Sequence, residues 1–290
     1  LYFVSIATTL LALLSKVTAI TIPLTLLLID WYQRRPIDRS ALQEKFPYLG
    51  LSFVFGLIAL GGKTHVVGSL TLMEKILLAC QATIFQLERI LWPHALSAIH
   101  PASEPIALFS LLYGSGVLIV IGLLIAIWQF RKRQPTIIFG LGFFLLILSP
   151  TLLNAAQEGD VFLTYDRYAY LPSVGILILI GCGFHWLHEQ VRMSAQNLIP
   201  FVIMMICVIF STLTMQQAYQ WRSTEALMLN VLEQYPASKK AKKQLANEYM
   251  VQAEAHRNAN DLTATLHAYQ QALQYHAQPA HVLTNLGVTA

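Results

Sequence analysis

Three cations stand where side chains of their kind hold phosphate. Arg89 and Arg167 carry planar guanidinium forks, which grip phosphate oxygens through two parallel hydrogen bonds. Lys16 interrupts an apolar run, where it either meets a lipid phosphate or snorkels toward the headgroups. Asp166, next to Arg167, either serves as a base or pairs with that arginine to anchor a loop. Tyr168 and Tyr170 follow, with rings that either stack on a ligand or rest at a membrane interface. The other reactive residues mainly exclude functions. His65, His94 and His100 read as loop or interface residues, and Glu74, Glu88, Glu104, Glu158 and Asp160 show no metal-ligand spacing. Cys80, Cys182 and Cys207 lie inside apolar runs with no CxxC spacing. A Gly-rich phosphate loop, HExxH and GxSxG are all missing, so nucleotide-driven transport, zinc proteolysis and serine hydrolysis lack their usual motifs.

The elements that must position these residues are set by composition. Of 290 residues 56% are hydrophobic and only 12% charged, against about 45–50% and roughly a quarter in soluble domains. Residues 1–215 hold 23 of the 34 charged side chains and residues 216–290 the other 11. A polytopic membrane domain over 1–215 and a helical aqueous domain over 216–290 are therefore expected. The net charge of +4 is spread over both parts, which excludes a nucleic-acid groove.

A span needs about 20 apolar residues. Ile106–Phe130, Thr136–Leu153, Tyr170–Leu187 and Leu198–Met215 meet this, and Phe46–Gly62 is a shorter fifth. Leu1–Ile29 reads as two short helices meeting at Ser15-Lys16 near a membrane face, which makes about seven membrane helices. Trp31, Trp92, Trp128 and Trp186 stand at the ends of apolar runs, as interfacial rings do. The basic loops Arg34–Lys45 and Arg131-Lys132-Arg133 belong in the cytoplasm by the positive-inside rule. Parity then makes 73–92, with Glu74, Lys75, Glu88 and Arg89, an interfacial or re-entrant helix outside the cytoplasm. The same alternation places Asn154–Ala169 and everything after Met215 outside, and Asp30 at the cytoplasmic end, where a surface ion pair or helix-end role accounts for it.

After Met215 the chain turns to Ala, Leu, Gln and Glu at helical spacing. Leu245-Ala246…Tyr249, Tyr269…Ala272-Leu273, Pro279 and Leu286-Gly287 follow the tetratricopeptide pattern, an all-helical repeat. Leu245 and Leu286 are 41 residues apart rather than 34, so an insertion of about two turns is expected near Glu254–Asn260. Trp221…Leu229…Leu232…Pro236 reads as an earlier, degenerate unit, and the lysines of Lys239–Lys243 as a solvated helix face. Leu1 opens inside an apolar run and Ala290 closes soon after a repeat begins, so an internal fragment of a longer protein is expected.

Ser15-Lys16…Pro23…Asp30-Trp31-Tyr32 and Tyr165-Asp166-Arg167-Tyr168-Ala-Tyr170-Leu-Pro172, with Leu91-Trp92-Pro93…His100-Pro101 and the repeat tail, resemble the transmembrane and tetratricopeptide-repeat O-mannosyltransferase-like family. The resemblance covers almost the whole chain. It implies a GT-C-type helical bundle, an all-α fold, in the bacterial inner membrane or the endoplasmic reticulum, with its repeats on the extracytoplasmic side. It implies transfer of a mannose-type hexose from a polyprenyl-phosphate donor to a protein or glycan acceptor that the repeats recruit. On that reading Arg89, Arg167 and Lys16 hold the lipid phosphate, and Tyr168 and Tyr170 stack on the sugar or headgroup. The catalytic carboxylate is implied in a loop upstream of Leu1, which leaves Asp166 as the one candidate within the chain. No cofactor is called for, and dependence on a divalent metal stays open. The competing expectation is a non-catalytic membrane scaffold whose repeats bind a partner peptide.

Overall fold

The computed structural model describes residues 1–62, 70–102, 105–131, 133–152, 156–157, 160–190 and 198–275. His65, Glu104, Lys132, Glu158, Pro279 and Leu286-Gly287 lie outside them. The described chain is all-α, with eleven α-helices and a few short extended segments. It divides into two compact bodies: residues 1–94, 102–157 and 161–199, and residues 95–101, 158–160 and 200–290.

In the first body α1 (Tyr2–Ser15) ends at Lys16, whose backbone is extended at φ −156° and ψ 121°. A 3-10 turn, Val17–Thr21, leads into α2 (Ile22–Tyr32). Pro23 falls in the first turn of α2, where its missing N–H would have found no partner in the helix. The break expected at Ser15-Lys16 is present, and it swings the chain around an exposed lysine. Asp38 caps α3 (Arg39–Gly61) through its carboxylate, which accepts the Ala41 N–H at 2.9 Å. Thr71 and Glu74 form a reciprocal capping box at the start of α4 (Leu72–Leu91). The Thr71 hydroxyl and amide both bond the Glu74 carboxylate and hold it below its usual range.

α5 (Leu111–Phe130) packs on α4, with Tyr113 buried against Leu77 and Leu78. α6 (Pro135–Leu148) packs on α7 (Ser173–Gln190) around Phe144, Leu148 and Ile176. That crossing depends on two glycines. A Cβ on Gly175 would strike the Gly140 carbonyl, and one on Gly140 would lie 2.7 Å from the Gly175 carbonyl. The backbones meet where any side chain would hold them apart. Between α6 and α7 come a 3-10 turn at Ser149–Thr151, short strands at Ala156–Gln157 and Asp160–Thr164, and a second 3-10 turn at Asp166–Tyr168.

At the junction of α2 and α3, Asp30 forms an ion pair with Lys45, and Arg35 stands 3.7 Å from its other oxygen. The side chains of Lys45 and Asp30 keep only 7% and 11% of their exposure. A surface ion pair or a helix-end role is expected of Asp30; it stands near the end of α2, but its pair with Lys45 is buried against the next helix. Arg34 has its backbone in the left-handed region, φ 58°, where the chain turns back.

The second body takes in most of α8 (Leu198–Gln220), then α9 (Thr224–Gln234), α10 (Lys239–Asn258) and α11 (Leu262–Tyr275). Ser223, Ser238 and Asp261 cap the last three helices, each accepting a backbone N–H three residues on. α10 and α11 pack as a helical pair through Leu245, Ala246, Tyr249 and Ala253 on one side and Thr265, Ala268, Tyr269 and Ala272 on the other. The two turns expected as an insertion are continuous helix, since α10 runs unbroken to Asn258 and the chain reverses at Asn260, φ 58°. α9 turns Met228 and Val231 inward and leaves Leu229 exposed. The lysine cluster is not wholly solvated: Lys239 and Lys243 are exposed, but Lys240 is buried.

Among the described residues three helices are long and apolar enough to cross a membrane: α3, α5 and α8. α1, the stretch Val17–Tyr32 and the stretch Pro135–Thr151 are apolar but shorter. About seven were expected. The difference arises because the apolar runs are divided by the turns at 16–21 and 149–151, and because the C-terminal end of α7 is polar.

Candidate functional site

The first body contains a cavity of about 600 Å³ walled by the end of α1, the 3-10 turn, α2, α6 and the segment 167–172. Lys16, Arg167, Tyr168 and Tyr170, singled out from the sequence, all line it. The Lys16 ammonium lies 5.8 Å from the centre of the Tyr168 ring. The Arg167 guanidinium lies 5.5 Å from the same ring and 5.1 Å from that of Tyr165. Cations this near aromatic faces are steadied by the ring quadrupole while their N–H groups stay available to a ligand.

Hydroxyls form another part of the wall. Ser15, Thr21, Thr25 and Thr151 donate to the carbonyls of Leu11, Thr18, Thr21 and Leu148, at 2.9, 3.3, 3.0 and 2.7 Å. Their protons are spent on backbone, so toward the cavity they offer oxygen lone pairs alone. Ala12, Ala19, Ile22, Leu26, Phe143, Ile147 and Leu171 complete an apolar lining, and no acidic residue lines the cavity among the described residues. The chamber therefore combines two cations, a set of acceptors and an apolar wall. Sequence reasoning passed over the hydroxyls. The spacing of Thr18, Thr21 and Thr25, which places all three along one face of the turn and helix, was the available signal.

The other expected residues lie elsewhere. Asp166 heads the 3-10 turn, half-buried, and does not line the cavity. Arg89 is not at the cavity either; its guanidinium bonds the His94 carbonyl and stacks 4.5 Å from the centre of the Phe85 ring. From the last turn of α4 it holds the chain that follows the helix. His94 accompanies it, with Nδ1 3.0 Å from the Trp92 carbonyl and Nε2 3.6 Å from Glu88. In the second body the His100 ring bonds the Tyr235 hydroxyl at 2.9 Å, and Gln234 donates to the Leu96 carbonyl at 3.1 Å. No group of three or more potential metal ligands occurs among the described residues.

The second body carries a polar groove of about 690 Å³ along α9, α10 and α11, lined by Glu225, Tyr249, Gln252, His256, Asp261 and His267 among others. The Tyr249 hydroxyl donates to Glu225 at 2.8 Å. Burial, and then the neighbouring Glu225 carboxylate, push that phenol above its usual range.

No family model matches the chain, and neither a curated protein nor a solved structure matches it.

Proposed function

We propose that the chain is a GT-C-type membrane glycosyltransferase, moving a mannose-type hexose from a polyprenyl phosphate to a protein or glycan acceptor. The observation that carries this reading is the convergence of Lys16 and Arg167 on one apolar-walled cavity. A polyprenyl-phosphate sugar presents an anion, a set of hydroxyl donors and an isoprenoid tail. The two cations complement the first, the acceptor oxygens of Ser15, Thr21, Thr25 and Thr151 the second, and the apolar lining the third.

In the transfer, the bond between the anomeric carbon and the phosphate oxygen breaks, and the acceptor oxygen bonds to that carbon. Lys16 and Arg167 neutralise the charge gathering on the departing phosphate. The acceptor's proton goes to a carboxylate supplied from outside the cavity wall, with Asp166, next to Arg167, as the candidate within the chain.

On this reading the chain is a multi-pass membrane protein, α4 lies along the extracytoplasmic interface, and α9 to α11 are tetratricopeptide-type units on that side. The buried set Leu245, Ala246, Tyr249, Tyr269 and Ala272 supports the repeat assignment alone. A second reading, a non-catalytic membrane scaffold, draws on the polar groove of α9 to α11, which suits a peptide.

The test is to incubate membranes containing the protein with polyprenyl-phosphate [3H]mannose and follow label into protein and glycan. Label that depends on the protein and falls with Lys16→Ala and Arg167→Ala supports the enzyme. Label equal to that of membranes lacking the protein rejects it and leaves the scaffold.

A further inference from the structure

We propose that Gln86 is a positioning residue for the cavity, fixing from α4 the turn that presents Arg167 and Tyr168. This rests on the reading of that cavity as the binding site. Gln86 is fully buried. Its Nε2 donates to the Thr164 hydroxyl at 2.5 Å and to the Tyr165 carbonyl at 2.9 Å. The same carbonyl accepts the Tyr168 N–H at 3.0 Å, the bond that closes the 166–168 turn. One oxygen atom thus joins the turn to a helix distant in sequence.

The anchor is set on a firm base. α4 packs on α5 through Leu77, Leu78 and Tyr113, and a Cβ on Gly116 of α5 would lie 2.7 Å from Gln81 Oε1, so the two helices meet more closely there than a side chain would allow. On the other side the Tyr168 ring meets the Tyr165 ring edge-on, 5.2 Å between centres. Arg167 and Tyr170 are exposed, and Tyr168 is half-buried.

The chemistry needs glutamine. A single amide nitrogen gives two protons in a fixed plane, reaches both acceptors, and brings no charge into a buried site. Glutamate of the same length has no proton to give, and its charge would face the Tyr165 carbonyl. The amide cannot turn over, because Oε1 would then meet that carbonyl, acceptor against acceptor. Gln86 Oε1 is left buried without a hydrogen-bond partner, so the residue's hydrogen bonding is committed to the turn.

The experiment uses the full chain in detergent with 3-fluorotyrosine at position 168, read by 19F NMR, and geranyl phosphate as the binding probe. Gln86→Met keeps the volume and removes both donors. The expected result is a shifted or broadened Tyr168 resonance, an unchanged signal from a second sample labelled at Tyr32, and geranyl phosphate binding weakened about tenfold through lost preorganisation. An unmoved Tyr168 resonance overturns the proposal, as does wild-type affinity in the variant. Should Gln86→Met not fold, Thr164→Val removes one of the two acceptors and is read the same way, with a smaller shift expected. If the wild type itself does not bind geranyl phosphate, the cavity reading fails on its own account. The 19F comparison still decides whether Gln86 sets the turn.

Discussion

Lys16 and Arg167 stand over one ring: the ammonium is 5.8 Å and the guanidinium 5.5 Å from the centre of Tyr168. Lys16 follows α1, and Arg167 lies in the loop before α7, so the site exists only when the first body is folded. The pairing makes Tyr168 part of the electrostatics as well as the lining. Arg167→Lys keeps the charge and loses the fork, so binding of a polyprenyl phosphate should weaken about tenfold, with Arg167→Ala weaker still. Tyr168→Leu keeps bulk and removes the quadrupole; the expected loss is about threefold, from about 0.5–1 kcal/mol of exposed cation–π energy. Tryptophan fluorescence titration with geranyl phosphate measures both. Equal affinities across the series would remove Arg167 and the Tyr168 ring from the site.

The buried pair of Asp30 and Lys45 makes a separate claim, on stability. Removing Lys45 leaves Asp30 with little access to water and with Arg35, 3.7 Å away, as its remaining cation, and Lys45→Met should destabilise the first body by about 1–3 kcal/mol. Adding Asp30→Asn to Lys45→Met should recover much of that loss. Thermal unfolding in detergent gives the comparison, and a double variant no more stable than the single one would show that the charges are not coupled.

The contact between Gly140 and Gly175 predicts a position-specific response to one methyl group. Gly175→Ala should separate α6 from α7 and cost about 1–3 kcal/mol. Gly181→Ala, on the same helix with nothing within 4 Å of the added carbon, should be neutral or stabilising by up to about 1 kcal/mol from helix propensity. Equal melting temperatures for the two variants would refute the close crossing.

The capping box gives a pH dependence of known sign. Bonds from Thr71 hold Glu74 below its ordinary pKa of 4.5, so they favour the folded helix end above that pH and are lost as pH falls through and below it. Amide exchange in the first turn of α4, corrected for the intrinsic rate, should quicken below pH 4.5 in the wild type. Thr71→Ala should exchange faster at neutral pH and show a flatter response. Parallel profiles would remove Glu74 from the cap.

Local features of this fold were readable in the residues, and contacts distant in sequence were not. The break at Lys16 followed from a charge inside an apolar run with a proline downstream. The inward faces of α10 and α11 follow from Leu245, Ala246, Tyr249, Tyr269 and Ala272 at helical spacing. Lys16, Arg167, Tyr168 and Tyr170 were chosen for their chemistry, but nothing in their spacing says that they share a cavity. Arg89 has the same chemistry as Arg167 and went to a helix end, because a guanidinium satisfies a carbonyl as readily as a phosphate. Gln86 gave no signal at all. A glutamine among apolar helix residues looks like surface until the carbonyl that it holds is in view.

Of the three helices long enough to span, α8 is the least covered by protein: across its most apolar window only 6% is buried. Its 23 residues extend about 34 Å, slightly more than a hydrocarbon layer of about 30 Å. Placed in a bilayer, such a helix is long enough to span with some tilt, and that tilt is set by the helices that pack on it and by side chains anchored at the interface, not by its length. There its exposed apolar side chains would meet lipid tails along most of the helix.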